Sequence, residues 1–299
     1  MYCNHPVEVF LGDTRTICAL TLIFISILSI CLHVAFILAV RRLSGWDSDY
    51  AFTLLIGMSC CSLIRFVNEI VCDSLSLAYV DFCSNHHLYT SLGAIDIASY
   101  LCLILLSVLM TIHRLIYTVF APMASKLLSP PLAKAIVVLV GICFFALFGL
   151  IQQEDVHYHY VPTRLNVDEL SESTWLSLRI ISSIANYSLG VTHLLVYPVI
   201  FIYLWYRKSL SFRRNQELRM TMQVTIFVTI ECVYFVYWEF IEQRPPEVGP
   251  LMTSAVVELA FYDSIMLPYL LINRRIQKLI VDTITCRRSV KIAANGAHS

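Results

Sequence analysis

Charge is what this sequence has least of. Only 14% of its 299 residues are Asp, Glu, Lys or Arg, and the two signs balance to a formal net charge of zero. No basic stretch is interleaved with stacking aromatics, so nucleic acid is not an expected partner. No Cys-x-x-Cys pair and no Cys/His cluster has metal-ligand spacing, and no G-x-S-x-G, H-E-x-x-H or P-loop occurs. The nine histidines are scattered, and His157 and His159 share a loop with no third ligand nearby. The chain is therefore expected not to be an enzyme and to carry no cofactor or metal. Helix breakers are scarce too. Of the ten prolines, only Pro198 and Pro268 fall inside apolar runs. They do not correspond under a two-half symmetry, and no internal repeat is visible, which argues against a transporter of the inverted-repeat kind.

What the chain has in abundance is apolar side chains, 58% of the total, with a mean hydropathy of +0.71. A soluble domain this apolar could not keep its surface polar, so lipid is the expected solvent. Seven runs are long enough to cross a bilayer, against a requirement of roughly 20 residues. They lie at 16–40, 51–72, 91–112, 132–151, 183–206, 221–241 and 251–272. The expected fold is an all-α membrane protein, a seven-transmembrane helix bundle occupying 16–272. Residues 1–15 precede it as an extracellular N-terminus. The first run is too long for a cleaved h-region and lacks a small-residue cleavage site, so it is read as a span that also targets the chain. Most of the eleven cysteines (Cys18, Cys31, Cys60, Cys61, Cys102, Cys143 and Cys232 among them) lie in apolar runs, as small packing residues rather than bridges.

Lys and Arg set the orientation. With the N-terminus outside, sixteen of the twenty-one cations fall on the cytoplasmic side, while Glu154, Asp155, Asp168, Glu169 and Glu172 crowd the outer loop after the fourth run. The tail 273–299 begins Asn-Arg-Arg-Ile-Gln-Lys-Leu-Ile, with Ile276, Leu279, Ile280 and Ile284 on one helical face. That pattern predicts a short amphipathic helix on the inner leaflet, with membrane lipid as its partner. Cys286 beside Arg287 and Arg288 is a candidate palmitoylation site. The sequon Asn186-Tyr187-Ser188 lies at the outer end of the fifth run, too near the membrane for modification to be expected.

A few ionisable groups lie where lipid makes them costly. Asp96 is the one ionisable residue between Leu92 and Ile112; it reads either as a polar anchor for a ligand or as a hydrogen-bonded acid tying helices together. Tyr100, one turn inward, shares its face. Glu258 and Asp263 are acids of the same kind, and Glu231 is deep but unassigned. Arg65 and Glu69, four apart, are expected to pair with each other. Tyr234, Trp238, Phe261 and Tyr262 read first as packing. Arg114 ends the third run about 27 Å from Asp96 at 1.5 Å per residue, nearly the thickness of a hydrocarbon core.

Seven spans, an outer N-terminus and an arginine closing the third span together resemble the rhodopsin-like G-protein-coupled receptors. His113-Arg114-Leu115 stands in the place of that family's Asp-Arg-Tyr, with Pro122 following. Tyr206 follows Pro198 at the family's spacing, and Leu267-Pro268 before a basic amphipathic segment resembles its span-seven motif and eighth helix. Counted back from Arg114, Asp96 falls where amine receptors of that family keep their ligand aspartate. The departures are equally plain. His33 replaces the span-one Asn, span two has no acid at the sodium-site position, span four has no Trp and span six no Pro. The loop after span four has no cysteine, so the family's usual bridge cannot form; Cys3, Cys72 and Cys83 remain as outer-side candidates, their pairing open. With IHRLIYTVFAP, ANYSLGVTHLLVYPVIFIYLWY, VYFVYWEFIEQRPPEVGP and MLPYLLINRRIQ, the chain looks most like the nematode serpentine chemoreceptors of class T or class X. The resemblance implies a chemosensory receptor of the plasma membrane, in a sensory cilium, that binds a small extracellular ligand (an odorant, metabolite or amine) and activates a heterotrimeric G protein. It implies ligand contacts from Asp96, Tyr100, His193, Trp238 and Glu258, and G-protein coupling through Arg114, Tyr206, Arg213 and Arg214. The alternative from another class is a small-solute channel or transporter, whose acids Asp96, Glu231 and Asp263 would line one continuous path.

Overall fold

The structure is a computed structural model that describes residues 8–43, 49–120, 122–124, 128–152, 158–169, 172–206, 216–240, 247–264 and 266–284. Its order is α1 (Gly12–Arg41), α2 (Tyr50–Leu77), α3 (His86–Val119), α4 (Pro130–Ile151), a hairpin of β1 (Tyr158–Val161) and β2 (Asn166–Glu169), then α5 (Glu172–Tyr206), α6 (Gln216–Phe240), α7 (Val248–Ser264), α8 (Leu267–Ile272) and α9 (Arg274–Ile284). Three elements show why the boundaries fall where they do. The Asp49 carboxylate accepts from the Ala51 and Phe52 amides and caps α2. Pro130 and Pro131 open α4, where their missing N–H groups have no intrahelical use. Pro268 has no N–H for the carbonyl of Ser264, four residues back, and α7 ends at Ser264. The seventh expected run is thus a 17-residue helix followed by the separate α8. Pro198, by contrast, lies within an unbroken α5.

Among the described residues, five helices are long and apolar enough to cross a membrane: α1, α2, α3, α4 and the part of α5 from Ile180 to Tyr206. In α6 the apolar stretch among the described residues is the shorter Val228–Trp238. The helices form a ring: α1 packs on α2, α2 on α3 and α4, α5 on α6, α6 on α7, and α7 back on α1. α3 runs through the middle against α2, α4, α5 and β1. Burial ranks them accordingly, with 67% of α3's apolar window inside the protein and 11% of α4's.

The distribution of polarity is inverted relative to a water-soluble bundle. Phe24, Ile142, Phe145, Ile184, Leu195 and Trp205 are exposed on the outside, whereas Arg65, Glu69, Asp96, His193 and Glu231 are buried within. An apolar exterior this continuous is stable in lipid and a liability in water. This is a helical membrane protein.

Two further features seat the ends. The hairpin pairs Tyr158 with Glu169 through Val161 with Asn166, antiparallel, and folds onto the ends of α2 and α3. The Val9 and Phe10 amides donate to the Thr163 carbonyl at 3.2 and 3.0 Å, which pins the N-terminal segment to the same turn. At the other end α9 turns Ile276, Leu279 and Ile280 into the core, packed toward α1 and α8, and leaves Arg274 and Lys278 exposed. Its apolar face is spent on the bundle itself, where the sequence pattern alone led us to expect the inner leaflet.

Candidate functional site

α2 presents Arg65, Glu69 and Asp73 at four-residue spacing, so all three share the face turned into the bundle. The Arg65 guanidinium makes the expected pair with Glu69 on its own helix through Nη1. It also reaches across to two other helices. Its Nε donates to Glu258 Oε1 of α7 at 3.1 Å and forms an ion pair with Asp96 Oδ1 of α3, and its Nη2 lies 3.1 Å from the same Glu258 oxygen. One cation therefore holds three carboxylates drawn from α2, α3 and α7, all of them buried. Formally the four charges sum to −2, an imbalance that lipid makes expensive. The Tyr262 hydroxyl, fully buried and with no hydrogen-bond partner among the described residues, lies within electrostatic range of Arg65, Asp96 and Glu258.

An aromatic wall adjoins this cluster. Phe261 and Tyr234 stack with centroids 4.0 Å apart, and Tyr100 packs at 6.3 Å from Phe261 and 6.4 Å from Tyr234. Trp238 lies 5.8 Å from Tyr234. The Tyr100 hydroxyl donates to Asn186 Oδ1 on α5. That bond places the sequon asparagine inside the bundle, facing a tyrosine. Above the cluster, Tyr160 of β1 donates its phenol to Asp73 Oδ1 at 3.0 Å, and burial together with that carboxylate pushes the phenol's pKa above its ordinary value. Arg15 Nε donates to Ser76 Oγ, which donates in turn to the Pro162 carbonyl. The hairpin thus closes the outer mouth over Asp73.

Four of the five expected ligand contacts, Asp96, Tyr100, Trp238 and Glu258, meet in this outer region. His193 does not. Its Nδ1 lies 2.7 Å from Glu231 Oε2 on α6, and its Nε2 2.8 Å from Thr111 Oγ1 on α3. Ser107 Oγ donates to Glu231 Oε1 at 2.6 Å, and Thr111 Oγ1 is 3.2 Å from the Tyr197 hydroxyl. Ser107 and Thr111 are eleven and fifteen residues inward of Asp96, about 17 and 22 Å along α3. His193 belongs to this inner network, not to the outer pocket. Asp263 belongs to neither: Ser29 donates to its Oδ2 at 2.7 Å, and His33 Nε2 lies 3.4 Å from Oδ1, on the α1 side.

At the inner end Arg114 is buried and its neighbour His113 stacks on Tyr50, centroids 4.9 Å apart, while Tyr206 is 81% exposed at the last residue of α5. Arg213, Arg214 and Cys286 lie outside the described residues. Cys83 is disulfide-bonded and Cys72 is a free, buried thiol, which removes Cys72 from the three outer candidates. Among the described residues no three of His, Cys, Asp and Glu come together as a metal site.

Sequence reasoning missed the cross-helix half of the Arg65 cluster, and Ser107, Thr111 and Tyr197 altogether. The usable signal was the shared phase of Arg65, Glu69 and Asp73 on α2; a lone hydroxyl on α3 gives none. The chain matches no protein-family model and no curated protein.

Proposed function

We propose that the chain crosses the membrane seven times, with α6 and α7 as the sixth and seventh spans and the N-terminus outside, and that it is a plasma-membrane chemosensory receptor coupled to a heterotrimeric G protein. The observation that carries this reading is that α3 holds both polar centres. Asp96 joins the outer cluster, and Ser107 and Thr111 join the inner network, so a ligand that rearranges the first acts on the same rigid element as the second. A ligand that binds one packing of these helices better than another shifts the population toward it. The formal excess of acids over bases in the outer cluster, three carboxylates to one guanidinium, beside an aromatic wall suited to cations, favours an amine over an anionic metabolite or a neutral odorant. Arg114, Tyr206, Arg213 and Arg214 are the proposed coupling residues on the cytoplasmic side, with α9 at the inner membrane face.

The channel alternative needs Asp96, Glu231 and Asp263 along one path. Each instead sits in its own group, with Arg65, with Ser107 and His193, and with Ser29 and His33. A compound panel weighted toward amines, applied to cells that report G-protein activation, tests the proposal. Activation is expected in wild type, lost with ligand binding kept in Arg114→Ala, and weakened in affinity with surface expression kept in Asp96→Asn. Current or uptake in the absence of G protein, with no G-protein response, would replace the receptor reading.

A further inference from the structure

The inner network can be followed donor by donor. Glu231 uses both oxygens, one for the Ser107 hydroxyl of α3 and one facing His193 Nδ1 of α5. With the imidazole proton on Nδ1, the assignment this geometry favours, Nε2 is an acceptor and takes the Thr111 hydroxyl proton. Thr111 Oγ1 is then the acceptor for the Tyr197 phenol. Each step from Tyr197 to His193 has one donor and one acceptor, and the chain ends where His193 Nδ1 faces a carboxylate of α6. Glu231 is 2% exposed and His193 1%, so water does not compete for these bonds. Pro198 follows Tyr197 directly, at the point where α5 lacks an amide proton for its own ladder. α6 itself contains no proline to bend at, so its inner half moves with the rest of the helix or not at all.

From this we infer that Glu231 is a latch residue: through Ser107 and His193 it holds the middle of α6 against α3 and α5, and its release is the step that lets α6 move. The carboxylate is suited to the task because one oxygen accepts from Ser107 of α3 while the other faces His193 Nδ1 of α5 at 2.7 Å. A glutamine of the same shape cannot do so, since one of its two terminal atoms is a donor. The latch is a positioning device; it touches no ligand in the outer pocket. Its reach into signalling rests on the receptor reading, whereas its reach into helix position does not.

The test separates the two. Spin labels at Tyr117→Cys on α3 and Thr225→Cys on α6, both exposed positions, report the separation of the inner ends in full-length protein with the exposed Cys31 and Cys60 replaced by serine. In Glu231→Gln the ligand-free distance distribution is expected to shift outward, and basal G-protein activation to rise about fivefold or more, the lower range of allosteric couplings. Ser107→Ala is expected to shift both in the same direction by less. Ser107→Ala removes one arm of the latch and leaves Glu231 in place, so it decides the question if Glu231→Gln fails to fold. A shifted distance with unchanged signalling supports the latch and counts against G-protein coupling. Wild-type distances in the folded variants overturn the latch.

Discussion

Removing the Arg65 guanidinium should be the most damaging single truncation in the outer cluster. At 3.1 Å and an effective dielectric constant of about 20, the Arg65–Glu258 attraction alone is about 5 kcal/mol, and two more carboxylates share the same cation. Desolvation of the four groups cancels much of that sum, so the net worth of the cluster is small. Breaking it from one side is a different matter. Arg65→Met leaves Glu69, Asp96 and Glu258 in the bundle without their counter-ion, and orphaning a buried pair costs about 3–5 kcal/mol. At about 2–4 °C per kcal/mol for a chain of this size, the melting temperature in a nanodisc should fall by roughly 6–20 °C. The variant that also carries Glu69→Gln, Asp96→Asn and Glu258→Gln removes the orphaned charges and should recover most of the loss. Two results would refute the reasoning: Arg65→Met melting within about 2 °C of wild type, or the fourfold variant melting no higher than Arg65→Met alone.

Glycosidase treatment of protein from a glycosylating host should leave its mobility unchanged, because Asn186 faces Tyr100 inside the bundle; a shift that disappears in Asn186→Gln would put that asparagine outside. Peptide mapping without reduction should find Cys83 in a disulfide, and Cys72 alkylated only after unfolding. Tyr160→Phe keeps the buried ring and orphans Asp73 Oδ1, so it should destabilise by about 1–3 kcal/mol, read as a lower melting temperature that Asp73→Asn does not lower much further.

The parts of this architecture legible in the sequence were the ones that depend on local pattern. Apolar run length located the helices, and the four-residue offset of Arg65 and Glu69 gave their pair. The parts that were not legible are long-range. Arg65 and Glu258 are 193 positions apart, and Ser107 and Glu231 124 apart. Helical phase says which face a residue occupies but not which residue of another helix stands at the same depth. That is why Asp96 could be placed on the interior face while its partner could not be named. It is also why the depth of His193, which joins Thr111 and Glu231 rather than Asp96, was not legible. The outer hairpin escaped for a different reason: its strands are four residues each, in a polar loop whose side chains alternate too briefly to register as a strand pattern. The break between α7 and α8 falls at Pro268, yet Pro198 lies inside an unbroken α5, so a proline in the sequence does not by itself say whether a helix ends.

The charge arithmetic of the outer cluster also separates folding from function. A buried ion cluster replaced by uncharged side chains of similar shape is often neutral or stabilising, so stability alone does not account for four charged groups at the meeting of α2, α3 and α7. If they serve only as structural ties, the fourfold neutral variant should melt near wild type and keep its response. If they form the ligand site, the two should part: the variant melts near or above wild type, traffics to the surface, and no longer distinguishes an amine from its uncharged analogue. Cells expressing it at wild-type surface levels and responding to amines with unchanged potency would remove the cluster from ligand recognition, and leave the aromatic wall of Tyr100, Tyr234, Trp238 and Phe261 as the part of the outer region that could still discriminate among ligands.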